Sequence, residues 1–228
     1  MNIFDSALRL LSDRPAFIAE IQDRKQLNQK IASLLLSSFI FFALYGLIIG
    51  SFHSWLQAIS SAIKLPALYL LTLMICMPTL YIFNGLFGSK RSLAQHFTFL
   101  LSAAAIIALL LCGFAPITFF FLTTVTAADY SFFLLLNVAI LALTGLFGVL
   151  FLYRVMKPGE EETADPSILK LRKTILRGWL LLYGFVGSQL GWTLRPFFGS
   201  TGTFELFRPR DGNFLTGVGM AIARLFGG

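Results

Sequence analysis

Ile31-Ala-Ser-Leu-Leu-Leu-Ser-Ser-Phe-Ile-Phe-Phe-Ala-Leu-Tyr-Gly-Leu-Ile-Ile-Gly50 runs for twenty residues without an Asp, Glu, Lys or Arg. A helix rises about 1.5 Å per residue and the hydrocarbon slab of a bilayer is about 30 Å thick, so roughly 20 apolar residues reach across it. Four more blocks share this character: Leu65–Phe87, Phe97–Thr124, Phe132–Tyr153 and Gly178–Leu194. All five are continuously apolar rather than alternating, and a chain in lipid must satisfy its own backbone, so helices are expected over barrel strands. The fold class is therefore all-α: a polytopic transmembrane helical bundle of about five spans, with interfacial amphipathic helices and an ordered carboxy-terminal extramembrane tail. Composition agrees, since 13% of the 228 residues are charged, about half the share in a soluble domain. Three regions follow: an arm over residues 1–30, a membrane domain over 31–194, and a tail over 195–228.

In the arm, Ile3, Phe4, Ala7, Leu8 and Leu11 fall on one helical face. Ser12 or Asp13 then reads as a cap, Pro15 suits a first helical turn, and Phe17, Ile18 and Ile21 continue an apolar face. The arm is expected to form one or two amphipathic helices, either lying at the cytoplasmic interface or packing under the helices. Its mixed charges and its lack of an apolar core before Ile31 do not read as a cleavable leader, so the first span is expected to act as an uncleaved anchor. After that span, Phe52, Trp55, Leu56, Ile59 and Ile63 predict a short outer surface helix, with Lys64-Leu65-Pro66 opening the second span.

Charge asymmetry orients the chain. With the amino terminus inside, cytoplasmic segments carry thirteen Lys/Arg and outer segments five, which favours amino-terminus-in and carboxy-terminus-out. The four tail arginines, Arg195, Arg208, Arg210 and Arg224, oppose the rule. If the long third block, with Gly113 and Pro116, were two segments, the tail would return inside. The expected location is a bacterial cytoplasmic membrane. Lys157–Pro166 reads as a solvated acidic loop, leading into the basic run Leu169–Arg177. That run is able to meet anionic headgroups or an acidic partner, or simply to anchor topology.

Chemistry is sparse. The five blocks contain no ionisable acid or base, which argues against ion-coupled transport. No HExxH, GxSxG, phosphate loop or paired carboxylates occur, so no catalytic residue, cofactor or metal is expected and the chain does not read as an enzyme. Cys76 and Cys112 fall within spans and read as packing residues. His53 and His96 fall at opposite ends of spans, so a shared metal site is not expected. Asn84, Asn137 and Gln189 either hydrogen-bond between helices or line a path. Gly46-Leu-Ile-Ile-Gly50 and Gly187-Ser-Gln-Leu-Gly191 are GxxxG patterns, which let helix backbones approach closely. Their expected use is contact between the first and fifth helices, or with another subunit. The tail, with Arg195, Phe197, Phe198, Phe204, Phe207, Arg208 and Arg210, spends too many aromatics for a disordered segment and is the expected partner-binding element. A short helix is expected from Asn213 onward.

The opening Leu10-Leu-Ser-Asp-Arg-Pro-Ala-Phe-Ile-Ala-Glu20, the closely spaced spans and Leu65-Pro-Ala-Leu-Tyr-Leu-Leu-Thr-Leu73 resemble the bacterial branch of the Yip family of Ypt/Rab-interacting membrane proteins, over roughly Phe4–Tyr153. The resemblance implies a helical membrane domain with a cytoplasmic amino terminus and no catalysis. Eukaryotic members serve trafficking with small GTPases, but this chain lacks their Asp-Leu-Tyr-Gly-Pro type tract, so GTPase binding does not carry over. The tail lies outside the family pattern, and no functional residue transfers. Together these readings predict a non-catalytic scaffold, anchor or assembly factor. Its expected partners are the lipid bilayer, other subunits or a second copy, and not nucleic acid. The alternative is a small oligomeric channel or transporter for a neutral solute or lipid.

Overall fold

The computed structural model describes residues 4–52, 54–86, 91–124, 130–157, 166–195, 197, 206, 215–216 and 219–220. Among the described residues seven α-helices follow in order: α1 (Asp5–Ser12), α2 (Arg14–Gln22), α3 (Leu27–Gly50), α4 (Trp55–Leu86), α5 (Leu93–Thr124), α6 (Tyr130–Met156) and α7 (Pro166–Thr193). Four of them, α3 to α6, are long and apolar enough to cross a membrane. Helix α7 covers the expected fifth block, but its first half carries Lys170, Arg172, Lys173 and Arg177 and it is not among those four.

The arm forms two helices, broken at Asp13, whose side chain caps α2 by accepting from the Ala16 N–H at 3.2 Å. It packs inward as well as outward: Ala7, Leu10, Phe17 and Ile21 are buried, whereas Leu8 and Leu11 are exposed. A four-residue turn joins α2 to α3, with Arg24 and Gln26 in the left-handed region at φ 60° and 50°.

One expectation about a helix break is corrected. The predicted surface helix after the first span and the second span are one 32-residue helix, α4, with Pro66 inside it. A proline removes a single N–H donor, and in a packed helix neighbours hold the chain through that gap. The third block, expected as a single span, is a single helix: α5 passes through Gly113 and Pro116 without interruption. At about 1.5 Å per residue, 32 residues make roughly 48 Å, longer than the slab, so each helix tilts or projects beyond it.

The chain divides into two compact units. The first comprises Met1–Ser38, Leu71–Ile107 and Leu146–Val186, and its core includes Leu10, Phe17, Ile21, Leu73, Phe99 and Trp179. The second comprises Phe39–Leu70, Ala108–Gly145 and Gly187–Gly228, with Phe42, Tyr45, Ile49, Leu65 and Phe133 in its core.

The first turns of α4 show the polarity of a lipid-facing helix. Gln57, Ser60, Ser61 and Lys64 are turned inward, with Gln57 fully buried and Lys64 6% exposed. Trp55, Leu56, Ile59 and Ile63 are turned outward, with Trp55 71% and Ile63 60% exposed. Water would select the reverse, because burying polar groups and exposing apolar ones costs free energy twice.

Candidate functional site

Within the second unit, three helices meet at Tyr45. Its buried hydroxyl donates to Asn137 Oδ1 at 2.8 Å and lies 3.1 Å from Thr118 Oγ1. A phenol has one proton, so with that proton on Asn137 the Thr118 hydroxyl donates to Tyr45. The Asn137 amide in turn donates to the Phe133 carbonyl of its own helix at 2.8 Å. The group ties α3, α5 and α6 together, each of its three side chains having a hydrogen-bond partner. Tyr45→Phe and Asn137→Ala are each expected to destabilise by about 1 kcal/mol. The double variant should fall short of their sum, because both remove one bond. Unfolding titrations of the four proteins in mixed micelles measure this.

Gly46 and Gly50 are buried and lie against the backbone of α4. A Cβ at Gly46 would stand 2.4 Å from the Ser61 carbonyl oxygen, and one at Gly50 2.5 Å from that of Gln57. The expected occupant of this face, the fifth helix or a second subunit, is therefore replaced by the neighbouring helix in sequence. Gly191 is looser, with Leu68 at 3.9 Å, and Gly187 is half-buried.

Two described points of the tail contact α4 in the same unit. Ser61 Oγ donates to the Phe197 carbonyl, and Lys64 Nζ to the Leu206 carbonyl. The second bond gives the buried Lys64 of α4 an acceptor. Arg195 stacks over the Trp192 ring at 3.6 Å. Phe198, Phe204, Phe207, Arg208 and Arg210 lie outside the described residues, as do His53, Arg224 and most of the helix expected from Asn213.

In the first unit the arm is held by charge. Glu20 accepts from Arg9 and pairs with Lys30 at 2.9 Å. Lys30 is 4% exposed, donates to the Lys25 carbonyl at 3.0 Å and sits 5.7 Å from the centre of the Phe17 ring. Gln95 on α5 donates to the carbonyls of Ile21 and Gln22 at 3.1 and 2.8 Å, capping the end of α2. The Arg9 hydrogen bond, followed by that of Lys30, pulls the Glu20 carboxyl from an ordinary 4.5 down to about 2. A depressed carboxylate stabilises the fold above its unfolded value and loses that contribution as pH falls through the folded one. The arm is thus expected to loosen between pH 4.5 and 2, seen as faster amide exchange over residues 5–22 with α3 to α6 unchanged.

Asn84 belongs to the first unit and donates to the Leu80 carbonyl one turn back at 3.0 Å. It borders a cleft with Leu80, Phe83, Arg172, Ile175 and Trp179 that has room for about one water molecule. Gln189 is half-buried in the second unit, where its backbone carbonyl accepts from Thr193 at 2.9 Å. Of the three polar candidates, Asn84 is the one that lines this cleft. His96 is buried in the first unit, its Nδ1 3.0 Å from the Ser92 carbonyl and its ring edge-on to Tyr81. Cys76 and Cys112 are free thiols, and the Cys76 carbonyl accepts from Trp179 Nε1 at 3.1 Å. Tyr45, Thr118, Glu20, Lys30 and Gln95 were not singled out from sequence. A tyrosine inside an apolar block and a lysine opening one were the available signals.

Among the described residues no three His, Cys, Asp or Glu side chains converge as a metal would require. Comparison with protein-family models, with curated proteins and with solved structures gives no match.

Proposed function

We propose that this chain is a non-catalytic integral membrane subunit, a scaffold or assembly factor that holds neighbouring proteins at the bilayer. The observation that carries the reading is the inverted polarity of α4, with Gln57 and Lys64 inward and Trp55 and Ile63 outward, which suits lipid contact. The buried polar groups support a rigid body over a conduit, since Asn137 is matched to Tyr45 and Phe133 and Asn84 to its own helix. In this reading Gly178–Leu194 is a fifth span, the amino terminus is cytoplasmic, the carboxy terminus is outside, and the membrane is a bacterial cytoplasmic one. The likeness of residues 4–153 to the Yip family fits a helical membrane domain without catalysis. In this reading the tail over residues 195–228 binds the partner protein.

The test is affinity purification in a gentle detergent or nanodisc, with mass spectrometry and particle sizing. A stable partner that is lost when residues 195–228 are deleted supports the assembly role. A partner-free homo-oligomer that passes neutral solutes in liposomes overturns it in favour of a pore.

A further inference from the structure

Lys170, Lys173 and Arg177 recur at i, i+3 and i+7 on α7 and share one helix face. The exposed Arg177 donates from Nη2 to the Tyr153 hydroxyl of α6 at 3.3 Å, with its guanidinium carbon 5.8 Å from the ring centre. Lys157, one turn beyond Tyr153, and Lys173 both lie within electrostatic reach of that hydroxyl. Arg177 thus meets Tyr153 across α6 and α7, with Lys157, just past the end of α6, and Lys173, one turn before Arg177, adding positive charge beside it.

Below them the same helix faces turn apolar. Leu181, one turn from Arg177, is 77% exposed. Gly184, a turn further, is exposed, and a Cβ there would meet nothing within 4 Å. On α6, Leu146 lies two turns before Tyr153 and is also exposed. Helical spacing sets Leu181 and Gly184 on the side of Arg177, and Leu146 on the side of Tyr153.

A cationic mouth above an apolar strip with a glycine in it has the polarity and order of a phospholipid, headgroup first and acyl chain beneath. We propose that this strip holds an anionic phospholipid, its phosphate among Lys157, Lys173 and Arg177 and one acyl chain along Leu181 and Gly184. This rests on reading the chain as membrane-spanning. Tyr153 acts as a positioning residue, fixing the Arg177 fork toward the phosphate. An acidic peptide would answer the charge but leave the apolar strip uncovered, and so would free phosphate. Lipid answers both.

The test uses purified full-length protein in dilute detergent, given phosphatidylglycerol or phosphatidylcholine with identical chains, with bound lipid read by native mass spectrometry. Phosphatidylglycerol is expected to be retained at least about tenfold better, because each cation near an anionic surface contributes roughly fivefold. The triple variant Lys157→Gln, Lys173→Gln, Arg177→Gln should abolish that preference. Gly184→Leu, which changes no charge, should lower retention of both lipids, and it keeps the test open if the triple variant fails to fold. Glycerophosphate, a headgroup without chains, should not compete. Equal retention of the two lipids by the native chain, a preference surviving the triple variant, or displacement by glycerophosphate each overturns the proposal. Alkaline extraction of membranes separates this failure from the larger one: a protein that resists extraction yet ignores lipid charge lacks only the lipid site.

Discussion

Gly46→Ala is expected to destabilise the protein by about 2 kcal/mol, whereas Gly191→Ala should leave it unchanged or slightly more stable. Two effects oppose each other at Gly46. Alanine gains about 1 kcal/mol of helix propensity over glycine, but its Cβ would stand 2.4 Å from the Ser61 carbonyl oxygen and 2.9 Å from the Ala62 Cα. Those atoms are backbone, so relief requires α3 and α4 to separate, and overpacking of this kind costs about 3 kcal/mol. The clash wins. At Gly191 the nearest atom is a flexible Leu68 methyl at 3.9 Å, an ordinary contact, so propensity decides. Gly50→Ala should behave like Gly46→Ala, since its Cβ meets the Gln57 oxygen at 2.5 Å. Reversible unfolding in dodecyl sulfate mixed micelles measures the order. Equal effects at Gly46 and Gly191 would refute the close crossing of α3 and α4.

Glu20→Ala should have the next largest effect, confined to the arm. It removes the carboxylate that pairs with Lys30 and Arg9, leaving Lys30 with the Lys25 carbonyl and the Phe17 ring. Stranding one charge of a buried pair costs about 3 kcal/mol or more. Glu20 is a quarter exposed, so solvent screening reduces this to about 2 kcal/mol. The expected outcome is rapid amide exchange and proteolysis over residues 5–22, with the long helices intact. Lys30→Met in the same chain should restore protection, because a buried pair replaced by apolar groups is near neutral. Loss of global stability instead would mean that the arm is part of the folding core.

The long helices were legible because a bilayer imposes one rule, a run of about 20 apolar residues, on Ile31–Gly50, Phe97–Thr124 and Phe132–Tyr153. Helix ends were less so. Pro66 suggested a start, yet it lies inside α4, because what a proline does depends on neighbours that a sequence does not display. The surface stripe Trp55–Ile63 was read correctly as a helical face, but not as the outer side of a helix whose polar side faces Gly46 and Gly50. GxxxG marks where a backbone can approach and not whose backbone it is; α4, tethered by a short connection, reaches that face at the lowest entropic cost. Asn137 was named from its type alone, and its partner Tyr45, 92 residues away, had no local signal to give.

The central claim is that the apolar outer faces of these helices lie in lipid, and spin labels test it most directly. Single nitroxides replace Met74 on α4, Phe119 on α5, Leu146 on α6 and Leu181 on α7, all exposed apolar positions, in protein reconstituted into liposomes. The account predicts high collision rates with oxygen and low rates with a water-soluble nickel chelate at all four, with Leu181 reporting on the fifth span. Labels at Met74, Phe119 and Leu146 that meet nickel freely would contradict it.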